Sequence, residues 1–157
     1  DIGCGNGWVV KRVSDINECV ISVGVDGAKN MIEKSIKKDK KSKYIQLDIN
    51  NLEVHQQTYD IVFSMEVMYY LNNPKKIIKH IKSHMLNREG CCIIGIDHYL
   101  ENTPSLSWPK DLDVPMCTYS ILMWTKILEE SGLNNIHVSQ FGKKNDWQGT
   151  LILYGEK

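Results

Sequence analysis

The sequence of 157 residues lacks a long apolar run, a net charge and any pair of cysteines with C-x-x-C spacing. No stretch approaches the roughly 18 consecutive apolar residues that a membrane-spanning helix needs, and the start at Asp1 has no basic region followed by an apolar one. Lysine plus arginine and aspartate plus glutamate number 19 each, so charge indicates neither nucleic-acid nor anionic-membrane binding. We therefore expect a soluble, cytoplasmic protein without a nucleic-acid or membrane partner.

Cysteine and histidine give no signature of a metal site. The five cysteines are odd in number, and no two have the C-x-x-C spacing of zinc or redox sites. His80 and His84 lie four residues apart, but the glutamate of an H-E-x-x-H motif is absent. We expect free thiols in a reducing compartment, a solvated helix face for the two histidines, and no bound metal.

Segments typical of strands and of helices alternate along the chain. The predicted strands, which are apolar and largely β-branched, are residues 20–26, 44–48, 59–64 and 91–97. The predicted helices, with apolar residues every three or four positions, are residues 8–13, 28–40, 74–86 and 120–131. This alternation favours an α/β fold with a Rossmann-like, doubly wound and mostly parallel sheet. The chain is long enough for one such domain and too short for two.

The C-terminal third departs from this alternation. Three prolines predict a long irregular loop over residues 99–117, and a loop of that length in a compact domain is usually functional. Two last strands are predicted at residues 135–141 and 149–154, with too few residues between them for a parallel crossover. We therefore predict a C-terminal antiparallel strand pair.

A glycine-rich turn opens the chain. Gly3, Gly5 and Gly7 stand at alternate positions after Asp1 and directly before the first predicted helix. Glycine lets the backbone approach a ligand closely, and the start of a helix offers free N–H donors. The dinucleotide fingerprint G-x-G-x-x-G requires glycine at position 8, where this chain has Trp8. The turn predicts a small polar ligand and disfavours a nicotinamide or flavin cofactor.

At this turn the chain resembles motif I of the class I S-adenosylmethionine-dependent methyltransferases. Further segments resemble, in order, the second-, third- and fourth-strand motifs of that family: residues 23–31, 46–49 and 59–71. The resemblance covers nearly the whole chain and implies a single class I methyltransferase domain at residues 1–157. It also implies that the first strand of the family's sheet, which leads into the turn, is absent from this sequence. We expect exposed strand edges for that reason, and an isolated chain of poor stability and weak activity.

The resemblance implies S-adenosylmethionine as the cofactor and a small molecule as the methyl acceptor. In that family the acidic residue at the position of Asp26 accepts hydrogen bonds from ribose hydroxyls, and the one at the position of Asp48 accepts one from adenine. The expected cofactor-binding residues are Asp1, Gly3, Gly5, Gly7, Asp26, Asp48, Ile49 and Met65. The same residue types also fit other roles: Asp26 a helix cap, Asp48 a turn former, and Met65 a core residue.

Acceptor-binding residues are expected after the later strands and in the long loop, because open α/β sheets bind ligands at the carboxyl ends of their strands. These residues are Tyr69, Tyr70, Asp97, His98, Tyr99 and Trp108. His98 or Asp97 is the expected general base for an acceptor that needs one. Asp97 also fits a loop cap, and Trp108 an apolar lid anchor. Glu66 receives no catalytic role.

The segments at residues 97–102, 107–109 and 146–150 resemble a small-molecule branch of the family, and that likeness names no acceptor. Two other functions stay open. The first is a non-catalytic, methyltransferase-like partner module, since a fold does not establish an activity. The second is an NAD-linked oxidoreductase, which Trp8 and the C-terminal strand pair disfavour.

Overall fold

The computed structural model describes residues 1–55 and 57–157, and helices and strands alternate through most of them. In chain order the elements are α1 (Trp8–Ser14), β1 (Val23–Asp26), α2 (Lys29–Lys38), β2 (Lys43–Gln46), β3 (Tyr59–Met65), α3 (Pro74–His80), β4 (Leu86–Ile96), α4 (Trp108–Asp111), α5 (Ile121–Glu130), β5 (Asn134–Phe141) and β6 (Thr150–Glu156). No helix within the described ranges has the length and apolar character needed to cross a membrane. The chain divides into two compact units, an N-terminal unit (Asp1–Leu52) and a C-terminal unit (Glu53–Lys157).

The N-terminal unit is built on two parallel strands. β1 and β2 pair with Asp26 opposite Gln46, and Ile2 bridges to Val25 in the parallel direction. The core of the unit consists of Cys4, Val10 and Ile32, with Tyr44 packed against it. The first strand is shorter than the sequence predicted: Val20 and Ile21 are exposed and precede it.

The C-terminal unit holds a four-stranded sheet in the order β3-β4-β6-β5. β3 and β4 are parallel, whereas β6 runs antiparallel to both β4 and β5. The predicted C-terminal antiparallel pair is therefore confirmed. The sheet positions the carboxyl ends of β3 and β4 side by side, because Met65 pairs with Gly95 near both ends.

The helices of this unit begin as their sequences predict. The Asn73 side chain accepts a hydrogen bond from the backbone of Lys76, and Pro74 stands in the first turn of α3. Ser120 caps α5 in the same way by accepting from the backbone of Met123 at 3.1 Å. The helix predicted over residues 74–86 changes its winding after α3, since residues Ile81–Met85 form a π-helical turn.

The irregular loop predicted over residues 99–117 contains two short helical turns. One is the 3₁₀ turn Thr103–Ser105 and the other is α4. Pro104 and Pro109 lie in the first turn of these helices, where a missing N–H costs nothing. The prediction that the prolines exclude regular structure is therefore wrong at these two places.

Candidate active site

The glycine turn lies between Ile2 and α1, and its backbone has a conformation that only glycine adopts without strain. Gly3, Gly5 and Gly7 have φ angles of 75°, 52° and 74°, in the left-handed region that other L-residues rarely enter. The space beside Gly5 is open, since no atom lies within 4 Å of a Cβ built there. The turn is therefore open at Gly5.

Asp26 closes this turn from the end of β1. One carboxylate oxygen accepts the N–H of Gly5 at 2.9 Å, and the other accepts the N–H of Ala28 at 2.7 Å. The bond to Ala28 is a turn contact before α2 and not a helix cap, because the N-cap residue of α2 is Ala28 and no side chain caps that helix. A carboxylate has about four acceptor positions, and these two bonds leave others for a ligand.

Two residues that the sequence did not mark complete the turn. The hydroxyl of the buried Ser35 lies 3.1 Å from the Gly5 carbonyl oxygen and 2.9 Å from that of Met31. Asn6 buries its side-chain oxygen without a hydrogen-bond partner in residues 1–55 or 57–157. A serine on the apolar side of α2 is a weak sequence signal for the contact of Ser35 with the turn. No local pattern in the sequence predicts the buried oxygen of Asn6.

The remaining predicted cofactor residues of this unit lie near Asp26. The exposed Asp48 accepts the N–H of Asn50 at 2.9 Å, which is the turn-forming role. Ile49 follows it, half-buried, in a 3₁₀ turn. The carbonyl of Asp1 accepts the N–H of Val25 at 2.9 Å. The carboxyl ends of the two parallel strands thus carry Asp26 and Asp48 together, since the N–H of Leu47 donates to the Asp26 carbonyl at 3.0 Å.

In the C-terminal unit, Glu66 and Asp97 follow the neighbouring strands β3 and β4. Glu66 has a φ of 59° and donates its N–H to the Gly95 carbonyl at 2.9 Å. The hydroxyl of Tyr69 donates to Oε2 of Glu66 at 2.9 Å. Oε1 of Glu66 and Oδ1 of Asp97 are buried and have no hydrogen-bond partner among the described residues. This strand end therefore presents two carboxylate oxygens that a donor can satisfy.

Burial raises the pKa of Glu66 to about 7, and the negative charge of Asp97 adds to the rise. The hydrogen bond from the Tyr69 hydroxyl to Oε2 opposes the rise without cancelling it. A carboxyl group with such a pKa exchanges a proton near neutral pH, as a general base must. Sequence analysis assigned Glu66 no catalytic role, because no pattern near Glu66 in the sequence shows that Asp97 lies beside it.

His98, one of the two predicted bases, has both ring nitrogens engaged. Nδ1 lies 2.9 Å from the Ser105 carbonyl oxygen and Nε2 lies 2.8 Å from the Thr118 hydroxyl. A carbonyl oxygen only accepts, so this geometry assigns the proton to Nδ1 and makes Nε2 the acceptor. Burial lowers the pKa of His98, and the ring is fully buried. This geometry gives His98 a structural role in the loop, and Asp97 is the predicted base that keeps a free oxygen.

Tyr99 is a core residue, which corrects the expectation that it contacts the acceptor. It is fully buried. Its hydroxyl donates to the Gly149 carbonyl at 2.8 Å and accepts from the Gln140 amide at 2.9 Å. Both polar positions are satisfied by the protein, so the side chain has nothing to offer a substrate.

The other predicted acceptor residues belong to one aromatic cluster. Its members are Tyr69, Tyr70, His98, Trp108 and Trp147. The ring centroid of Tyr69 lies 4.5 Å from that of Tyr70 and 5.5 Å from that of His98. The centroid of Trp108 lies 6.2 Å from that of His98 and 6.0 Å from that of Trp147. The cluster adjoins the carboxylates through the bond from Tyr69 to Glu66. The structure thus joins segments that are far apart in the sequence.

Two nearby residues hold the strand ends in place. The buried Asn102 donates to the Asp97 carbonyl at 2.7 Å and accepts the N–H of Gln148 at 3.0 Å, which ties the loop after β4 to the loop before β6. Met65 packs against Gly95, where an added Cβ would lie 2.4 Å from its sulfur. Met65 is half-buried.

Residues 1–94 match the protein family described as Methyltransferase domain. A malonyl-[acyl-carrier protein] O-methyltransferase from Bacillus anthracis is 28% identical over 87 residues, which are 54% of this chain and 32% of that enzyme. The chain therefore spans about a third of the length of this curated relative.

Two solved structures show the same fold. An S-adenosylmethionine-dependent methyltransferase from Mesorhizobium loti superposes with a TM-score of 0.84 at 16% identity, over 100% of this chain and 89% of its own. A chain in the complex of the Haloferax volcanii Trm112 methyltransferase activator with a methyltransferase superposes with a TM-score of 0.83 at 20% identity, over 99% and 79% respectively. The family match covers more than half of this sequence. The chain therefore belongs to the methyltransferase-domain family, and its fold is the class I fold of S-adenosylmethionine-dependent methyltransferases.

Proposed function

We propose that this domain binds S-adenosylmethionine in its N-terminal unit and is part of an enzyme that transfers the methyl group to a small-molecule acceptor. The observation that carries the proposal is the glycine turn closed by Asp26. Three glycines of positive φ form the turn, the space beside Gly5 is open, and a carboxylate with acceptor positions to spare stands beside Gly5. Family membership supports the same conclusion.

The groups around the turn fit the polar parts of this cofactor. Asp26 has acceptor positions for the two ribose hydroxyls. The buried, unpartnered oxygen of Asn6 offers an acceptor to an N–H or ammonium donor. Asp48 and Ile49 are the residues proposed for the adenine ring. When bound, the cofactor supplies a methyl group on a positively charged sulfur, which a nucleophile displaces in line.

In the C-terminal unit we assign the proton-accepting role to Glu66. Tyr69 orients one of its oxygens, and the other is buried with no partner within the described ranges. A pKa of about 7 lets this group take a proton from an acceptor and release it to solvent in each turnover. Asp97 raises that pKa by its charge and offers a second acceptor oxygen.

The aromatic cluster supports a small acceptor with an apolar or planar part. Tyr70 is 40% exposed, and Trp108 and Trp147 are half-buried, so each of these three side chains is partly accessible to solvent. Aromatic faces with a few polar groups nearby are the usual lining of small-molecule sites. The Bacillus anthracis relative is named an O-methyltransferase of malonyl-[acyl-carrier protein], so the acceptor atom of that relative is an oxygen.

Calorimetry with the complete protein and a labelled-methyl assay test the proposal together. We expect S-adenosylmethionine to bind, NAD not to bind, and label to pass from the cofactor to a component of a small-molecule pool. Binding without transfer to any pool would support the non-catalytic partner module. Failure of the cofactor to bind would overturn the proposal.

A further inference from the structure

The glycine turn is held from a second side by a tyrosine that has no role in the proposed chemistry. The ring of Tyr44 on β2 packs against Gly7, where an added Cβ would lie 2.5 Å from Cε1 of the ring. The Tyr44 hydroxyl lies 3.2 Å from the Gly7 carbonyl oxygen. Gly7 is the last glycine of the turn and the N-cap residue of α1. Tyr44 therefore contacts the point where the turn becomes a helix.

A buried carboxylate fixes the position of that tyrosine. Asp39 accepts the Tyr44 hydroxyl at 3.0 Å through one oxygen, and accepts the backbone N–H groups of Lys41 and Ser42 at 2.9 and 3.3 Å through the other. Burial alone would raise the pKa of Asp39, but the hydrogen bonds from Ser42, Lys41 and Tyr44 outweigh it and lower the pKa to about 2. Asp39 is thus a charged acceptor of fixed orientation at every physiological pH.

The same short segment also contacts the other end of α1. The Lys41 ammonium donates to the carbonyl of Ser14, the last residue of that helix, and a cation there is favourable to the helix dipole. Residues 39–44 therefore hold α1 at both ends, through Tyr44 at Gly7 and through Lys41 at Ser14.

We infer that Asp39 and Tyr44 are positioning residues for the cofactor turn. Asp39 orients the Tyr44 hydroxyl, and Tyr44 fixes Gly7, so the pair holds the turn in the conformation that receives S-adenosylmethionine. A turn that is already ordered loses less conformational freedom when it binds a ligand, and affinity rises accordingly. The inference rests on the proposed function of the turn.

Calorimetric titration of the complete protein with S-adenosylmethionine tests it, with Tyr44→Phe, Asp39→Asn and the double variant. We expect each single variant to bind the cofactor about three- to tenfold more weakly, the range for one lost hydrogen bond. The turnover number at saturating cofactor and the KM for the acceptor stay unchanged. The double variant binds no more weakly than Tyr44→Phe, because Asp39 acts through Tyr44.

Tyr154→Phe is the matched control. Its hydroxyl also donates to a carboxylate, Glu156 at 2.7 Å, but it lies on β6 of the other unit, so cofactor affinity stays at the wild-type value. Unchanged affinity in a folded Tyr44→Phe protein would overturn the inference. If Asp39→Asn fails to fold, Tyr44→Phe still tests the inference, because it keeps Asp39 and the backbone hydrogen bonds of Asp39. A wild-type protein that binds no S-adenosylmethionine would instead overturn the proposed function and the inference with it.

Discussion

The strand-end carboxylates of the two units differ in how well the protein satisfies them. Both oxygens of Asp26 accept backbone N–H groups before any ligand is present. In the C-terminal unit, Glu66 and Asp97 each keep a buried oxygen without a partner in the described part of the chain. A carboxylate whose oxygens both accept hydrogen bonds has a fixed orientation. A buried carboxylate oxygen without a partner is destabilised until a hydrogen-bond donor or a proton binds it. The first arrangement suits binding and the second suits proton transfer.

Removal of the Glu66 charge tests the difference between the two units with the largest expected effect. Glu66→Gln keeps the size of the side chain and its bond to Tyr69 but accepts no proton. We expect the turnover number to fall by about a hundredfold or more, the usual contribution of a general base, for an acceptor that must lose a proton. S-adenosylmethionine affinity stays unchanged, and both quantities are measured by steady-state kinetics and calorimetry.

Glu130→Gln is the control for that experiment. Glu130 is an exposed carboxylate whose partner is Lys75 at 2.6 Å, and surface pairs of this kind contribute little to stability. Its loss leaves turnover unaffected. A Glu66→Gln enzyme with full turnover would remove Glu66 from the mechanism and leave Asp97 as the remaining carboxylate.

Removal of the satisfied carboxylate has a different expected result. Asp26→Ala weakens S-adenosylmethionine binding by about ten- to a hundredfold, because hydrogen bonds to a charged group contribute roughly 1.5–3 kcal/mol. The comparison variant is Asp15→Ala, which removes an exposed carboxylate that pairs with Lys11 in the same unit. Calorimetry that finds equal affinity for both variants would contradict the role of Asp26.

The two regions also differ in how much of them the sequence reveals. The glycine turn is a continuous segment, and Asp26 follows it at a spacing that a single pass along the chain detects. Glu66 and Asp97 are 31 positions apart in the numbering, and they meet only because β3 and β4 pair in parallel. The spacing of apolar residues likewise predicted the strands and helices, because each of these elements has its own local repeat of apolar residues. It did not predict which side chains from different elements become neighbours.

His98 and Tyr99 show why residue type alone misled at the acceptor site. Both follow β4, where ligands of α/β sheets bind. The backbone reverses there, and Asn102 returns the loop onto Asp97. The two side chains therefore point into protein and find partners in Ser105 and Gly149. Those partners come from later segments, and no local pattern in the sequence identifies them.

The pH dependence of turnover separates the two unsatisfied carboxylates. Glu66 must be ionised to accept a proton, and its pKa is about 7, so turnover falls about tenfold for each pH unit below 7 and is level above 8. Asp97→Asn removes the charge that helps to raise this pKa, so the profile shifts to lower pH while turnover at pH 8 is retained. A loss of turnover at every pH would assign the base to Asp97.

The smallest expected effect concerns the rim of the aromatic cluster. Trp108 stacks on His98 and lies tilted against Trp147. It has no described hydrogen bond to Glu66, so Trp108→Ala removes the proposed acceptor contact without altering proton transfer. We expect the acceptor KM to rise about three- to tenfold, since one aromatic contact contributes roughly 0.5–1.5 kcal/mol, while turnover at saturation changes little. Phe141→Ala, at an aromatic residue that is 79% exposed, leaves the KM unchanged. An equal rise in both variants would mean that lost aromatic surface, and not the cluster, weakens binding.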